Sequence, residues 1–150
     1  MNFLVDTNIL GRMAEPGHAQ YQLALDATNA LDLRGDSLHI VPQVLYEFWV
    51  VATRPRAVNG LGLSVGEATT ELARLKTLFP LLFDTPSIYP EWERLVSTNR
   101  VGGKNAHDAR LVAAMTVHGL THLLTFNVGG FAPYPGITAL APAAVLRPGP

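Results

Sequence analysis

The sequence predicts an α/β domain, with a mainly parallel sheet of about five strands and helices against both faces. Three observations predict it. The chain opens on Phe3-Leu4-Val5, an apolar run too short for a helix and without alternation, which is how a strand covered on both sides reads. Apolar residues make up 48% of the chain and charged ones only 15%, against a usual quarter or so, so most helices must be covered on more than one side. Short apolar runs then alternate with longer helical stretches, the pattern of strand-crossover-strand units.

Taken in order, Phe3 to Val5 ends on Asp6, and a helix is expected over Thr7 to Met13. An acid at the carboxyl end of a parallel strand lies where open α/β sheets bind ligands; it is equally a preferred cap for the helix that follows. His18 to Arg34 reads as a helix, Gly35-Asp36-Ser37 as a turn and Leu38 to Val41 as the second strand. Pro42 opens the third helix at its first turn. Gln43 to Ala52 is apolar nearly all round, and Glu47, its one charge, shares a face with Val44, Val50 and Val51. A nearby Arg would give it an ordinary salt bridge.

Thr53-Arg54-Pro55-Arg56 breaks that helix and Asn59 to Leu63 is a turn-rich loop. Ser64 and Glu67 form a capping-box signature for a helix whose buried stripe is Leu72, Leu75, Leu78 and Phe79. Leu81 to Phe83 is the third strand candidate, and a helix begins at Pro86 or Pro90 with Trp92, Leu95 and Val96 inward. The loop Arg100 to Lys104 is glycine-rich and basic but lacks the Gly-Lys-Ser/Thr ending of a P-loop. Asn105 to His118 is the next helix, with Asp108 at the head of the stripe Leu111, Val112 and Met115; a macrodipole or capping role is its alternative. His107 adjoins it but points elsewhere on the helix. His122 to Thr125 is a fourth strand, with Asn127 emerging beyond it, and Ile137 to Leu140 a last, edge strand. Residues 1–150 read as one domain, with a Pro-rich tail over about 141–150 expected to fray.

Composition excludes several classes. Without cysteine there is no disulfide framework, zinc finger or thiol nucleophile. No leader-like or membrane-length apolar segment is present, so a cytoplasmic protein without a membrane partner is expected. The formal net charge of -1 means that any nucleic-acid binding must use a local patch. Nine of the eleven basic residues are Arg, whose guanidinium suits phosphate but also ordinary ion pairs. Neither Gly-x-Ser-x-Gly nor Gly-x-Gly-x-x-Gly occurs. Asp6, Glu47 and Asp108 are therefore the residues with chemistry to offer, expected at one edge of the sheet. Clustered carboxylates repel unless one protonates or a cation intervenes, and hard oxygens without His or Cys suit Mg²⁺ or Mn²⁺.

Val5-Asp6-Thr7-Asn8, Tyr46-Glu47-Phe48, Thr53-Arg54-Pro55 with Asn59-Gly60-Leu61-Gly62, His107-Asp108-Ala109, and Leu124-Thr125-Phe126-Asn127 running to Phe131 together resemble the PIN domain, specifically the VapC-type ribonuclease toxins of toxin-antitoxin pairs. The resemblance spans nearly the whole chain. It implies a PIN-like three-layer fold, Mg²⁺-dependent endonucleolytic cleavage of RNA, with Mn²⁺ as substitute, homodimerisation, and a cognate antitoxin. It places Asp6, Glu47 and Asp108 on the family's acidic positions, with Asp6 and Asp108 as direct metal ligands. Where the family has a fourth acid this chain has Asn127, which keeps a carbonyl oxygen and loses a charge. Thr7 and Asn8 are expected to hydrogen-bond Asp6 or a substrate phosphate, and Arg54, Arg56, Arg100, Lys104 and Arg110 are candidates for contacts with the RNA backbone. The rivals are a non-catalytic PIN-fold binding module and a Mg²⁺-dependent phosphatase with Asp6 as nucleophile; the latter generally needs an acid where Asn8 stands. Tyr46 and Trp49 exceed what one core face can bury and are expected at a dimer or antitoxin interface.

Overall fold

The computed structural model describes residues 1–149. Its sheet has four strands, β1 (Asn2–Val5), β2 (Ser37–His39), β3 (His122–Leu124) and β4 (Thr138–Leu140), in the order β2-β1-β3-β4. Every neighbouring pair is parallel, so all four carboxyl ends lie along one edge. From β1 the chain first moves to one side of the sheet and later returns on the other, which makes the crevice between β1 and β3 the point where strand order reverses. Phe3, Leu4 and Val5 are all fully buried. Successive strand residues face opposite sides, so β1 is covered on both, as its sequence predicts.

Among the described residues seven α-helices pack around the sheet: α1 (Thr7–Met13), α2 (Tyr21–Leu33), α3 (Pro42–Thr53), α4 (Val65–Leu78), α5 (Ile88–Thr98), α6 (Asn105–His118) and the short α7 (Pro142–Val145). α1 packs on α2 and α3, α3 on α4, α5 on α6, and α2 on α7. The capping box of α4 is formed in both directions: the Ser64 hydroxyl accepts from the Glu67 amide at 3.1 Å, and the Glu67 carboxylate from the Ser64 amide at 3.0 Å. Gly119, at φ +70°, ends α6 in the left-handed turn that releases the chain into β3.

Three expectations need correction. Leu81 to Phe83 is not a strand: Leu81 makes one isolated parallel bridge to Ile40, and then the chain turns through Asp84-Thr85-Pro86, leaving Phe83 exposed. Two bonds hold this bridge, from the Ile40 amide to the Pro80 carbonyl and from the Leu82 amide to the Ile40 carbonyl. α2 begins at Tyr21 instead of His18, because the His18 ring accepts from the Gln20 amide at 3.0 Å and uses that stretch as a turn. The Pro-rich tail does not fray at its start: Pro142 and Val145 are buried, and the Arg34 guanidinium donates to the Val145 carbonyl at 2.7 Å. Tyr46 is exposed and Trp49 half-buried, so that face of α3 keeps surface available to a partner.

The loop after α3 contains the tightest backbone approach. A Cβ at Gly60 would lie 1.8 Å from the Arg54 carbonyl oxygen, and the Arg54 guanidinium donates to the Asn59 carbonyl at 3.0 Å. Backbone cannot yield as a side chain does, so Gly60→Ala is expected to cost about 1–3 kcal/mol, the range for forced overpacking. Urea denaturation checks it, and an unchanged midpoint would show that the loop relaxes freely.

Candidate active site

Each carboxylate is brought to the carboxyl edge by a different element. Asp6 follows β1 directly and is 8% exposed; its amide donates to the Leu124 carbonyl at 3.0 Å, which extends the β1–β3 pairing by one step. Glu47 lies in the middle of α3, the helix that leaves β2. Asp108 lies in the first turn of α6, whose far end feeds β3. Topology alone thus gathers residues far apart in sequence.

Asp6 accepts from the Thr7 amide at Oδ1 (2.7 Å), and at Oδ2 from the Thr125 hydroxyl (2.7 Å) and the Asn8 amide (3.3 Å). It therefore caps α1 and belongs to the cluster at once. Glu47 accepts from the Thr7 hydroxyl at 2.6 Å and from the Gln43 amide at 3.0 Å, and half-buried Asp108 makes no side-chain hydrogen bond among the described residues. None of the three pairs with Lys or Arg among the described residues, so the salt bridge considered for Glu47 is absent. Burial pushes the Asp6 carboxyl up to about 6; the Thr125 and Thr7 bonds oppose this, while the charges of Glu47 and Asp108 add to it. Asp108 is also raised, by desolvation first and then by Glu47, with His107 and Lys104 pulling the other way. The three acids share one electrostatic environment in which none has an ion-pair partner among the described residues, Lys104 and His107 acting on Asp108 only from a distance.

Two residues that the sequence reading passed over hold this arrangement. Thr125, fully buried, follows β3 as Asp6 follows β1; its hydroxyl donates to Asp6 and accepts from the Asn8 side chain and the Asn127 amide. Gln43, nearly buried, donates to Glu47 and to the His107 carbonyl (2.8 Å) and accepts from Arg110 (3.0 Å), joining α3 to the start of α6. The signals were present: a polar residue at the end of an apolar strand, and an amide four residues before the lone helix acid.

The remaining candidates divide. Thr7 and Asn8 are engaged with the carboxylates, and Asn8 also accepts from the Phe126 amide at 3.1 Å. Asn127 is exposed and linked to Asp6 only through its backbone amide and Thr125, with its side chain lying over Gly130. Arg110 bonds Gln43 and forms an ion pair with Asp84 at 2.9 Å. Lys104 is exposed near Asp108, and Arg100 is exposed with φ +53°. Arg54 is occupied with its own loop, and Arg56 packs its stem near Gly62.

Among the described residues no three His, Cys, Asp or Glu side chains converge tightly enough to form a ready-made coordination sphere. The donor chemistry nevertheless fits a hard divalent cation: buried or half-buried carboxylate oxygens, raised protonation, and no basic partner.

A parallel α/β domain with acids at its strand-order reversal defines a broad class, and comparison of folds narrows it. No family model matches the sequence, and no curated protein does. Solved structures do match. VapBC2 from Rickettsia felis, bound to a DNA fragment from its promoter, aligns over 94% of this chain and 98% of the other at TM-score 0.70 and 14% identity. DNA-bound VapBC from Salmonella typhimurium aligns over 95% and 98% at 0.69 and 14%. VapC20 from Mycobacterium tuberculosis, a toxin that cleaves the sarcin-ricin loop, aligns over 81% and 86% at 0.56 and 21%. The chain has the VapC-type PIN fold.

Proposed function

We propose that this chain is a Mg²⁺-dependent endoribonuclease, the toxin of a toxin-antitoxin pair restrained by a cognate antitoxin. The observation that carries the reading is the set Asp6, Glu47 and Asp108 at the sheet's reversal point, without a salt-bridge partner among the described residues, on the VapC-type fold. Asp6 and Asp108 would hold the cation. When bound, it supplies an acidified water and charge stabilisation at the phosphoryl oxygens. Thr7, Thr125 and Asn8 fix the direction of the Asp6 lone pairs, while Glu47, oriented by Thr7 and Gln43, is positioned to hold or accept a proton. Complexes named VapBC among the neighbours support an antitoxin partner. No described helix is long and apolar enough to cross a membrane. Burial of Asp6 and the three donors on its oxygens disfavour a nucleophilic phosphatase.

Incubating purified protein with RNA in Mg²⁺ or in EDTA tests the reading. Internal cleavage only with the metal is expected; intact RNA under both conditions refutes it. Asn127→Asp refines it. The residue is exposed, so an added carboxylate acts through screened charge, on the scale of an exposed pair. The Mg²⁺ needed for half-maximal cleavage is expected to fall about two- to fivefold, by that same scale, and the metal-free melting temperature to fall slightly. If neither changes, Asn127 serves only to shape its loop.

A further inference from the structure

Beside the acidic cluster, between α5 and α6, lies a cavity of about 450 Å³ that the mechanism above does not use. Its aromatic wall is Tyr89 and Trp92, with ring centroids 5.7 Å apart and planes tilted by 38°. Trp92 is fixed, because its indole donates to the Ala106 carbonyl at 2.8 Å, whereas Tyr89 is 64% exposed. His107, Arg110 and Asp84 supply the charged and polar part of the lining. Two hydrogen bonds connect this wall to the cluster: Arg110 to Gln43, and Gln43 to Glu47. His107, whose carbonyl Gln43 holds, is the residue before Asp108.

We infer that this cavity is a binding subsite for one unstacked nucleobase of a single-stranded RNA, next to the phosphate that the acids act upon. The inference rests on the ribonuclease reading and adds to it how the substrate is held. A phosphate is a poor occupant, since Arg110 is already neutralised by Asp84 and the carboxylates beyond Gln43 repel anions. A planar, neutral ring suits the site: Tyr89 and Trp92 supply π-faces, and the Asp84 carboxylate and the Arg110 guanidinium supply an acceptor and donors for base edges. A cavity of this size also matches one base better than a helix, which needs a long groove.

The test measures binding without turnover. Short labelled RNA and an abasic ribose-phosphate strand of equal charge are titrated in EDTA into the full-length protein, its Tyr89→Ala variant and its Tyr89→Phe variant, following anisotropy and tryptophan fluorescence. The base-bearing strand is expected to bind roughly tenfold tighter than the abasic one, the usual worth of a stacked base. Tyr89→Ala should erase that difference and Tyr89→Phe keep it. Equal affinity for the two strands, or a difference indifferent to Tyr89→Ala, overturns the subsite. So does quenching that follows protein concentration without RNA, which would mean that a second copy covers the cavity. Cleavage in Mg²⁺ is scored separately. Cleavage without base-dependent binding removes the subsite alone, whereas base-dependent binding without cleavage removes the nuclease reading alone.

Discussion

Asp6→Asn is expected to reduce RNA cleavage by roughly a thousandfold or more. If Asp6 holds the cation as proposed, its loss removes several kcal/mol of transition-state stabilisation, and each ~1.4 kcal/mol is a factor of ten. The fold should survive. An asparagine keeps an oxygen for the Thr7 amide, but its amide cannot replace the carboxylate oxygen that accepts from Thr125 and Asn8, because the Thr125 hydroxyl already accepts from Asn8 and Asn127. The bonds lost at that oxygen cost about 1–3 kcal/mol, which removal of a buried charge offsets near neutral pH. Cleavage at saturating Mg²⁺, together with circular dichroism, checks both halves. A folded variant that cleaves at the parent rate would remove Asp6 from the mechanism.

The second large effect is on metal-free stability as a function of pH. The Asp6 carboxyl is raised in the folded protein from an ordinary 3.8 to about 6, mainly by burial. Between those values the folded state binds more protons than the unfolded one, so stability falls as pH rises. The contribution is fully present below about pH 3.8 and lost above about 6. At about 1.4 kcal/mol per pH unit it amounts to about 3 kcal/mol. Asp108, raised in the same direction, reinforces the sign. In EDTA the parent should therefore lose stability between pH 4 and pH 7 relative to Asp6→Asn, in which this group no longer titrates. Mn²⁺ at about a hundred times its dissociation constant should restore roughly 2.7 kcal/mol to the parent at neutral pH and little to the variant. Parallel pH profiles for the two proteins would mean that Asp6 is solvated in solution.

The sequence revealed what local chemistry encodes. β1 is legible because three buried apolar residues in a row have few other meanings, α4 because its capping box is complete, and the end of α6 because Gly119 marks it. The acids were legible as charges on apolar surfaces. Thr125 and Gln43 left only a local hint of their roles, since the partners that make each of them a link, Asp6 and Asn8 for Thr125 and His107 and Arg110 for Gln43, lie more than 60 residues away. The strand expected at Leu81 failed for a related reason: apolar character states that a segment is covered, but a ladder also needs several residues in register with a neighbour, and here only one bridge forms.

The parallel order of the sheet also sets when the site can exist. β1 leaves the ribosome before the other strands, yet it pairs with β2 about 35 residues later and with β3 only after some 119. The Asp6–Thr125 hydrogen bond spans 119 residues. At about 5–20 residues per second, synthesis separates the two ends of that bond by about 6 to 24 s. Throughout that interval Asp6 lacks its Thr125 bond, Asp108 has yet to be made or has only just emerged, and the apolar first strand lacks one of its flanks. Such non-local pairing is also slow to form once the chain is free. A nascent chain accordingly lacks the assembled acid cluster, and its β1 edge stays unpaired on the β3 side until the last third of the chain is made.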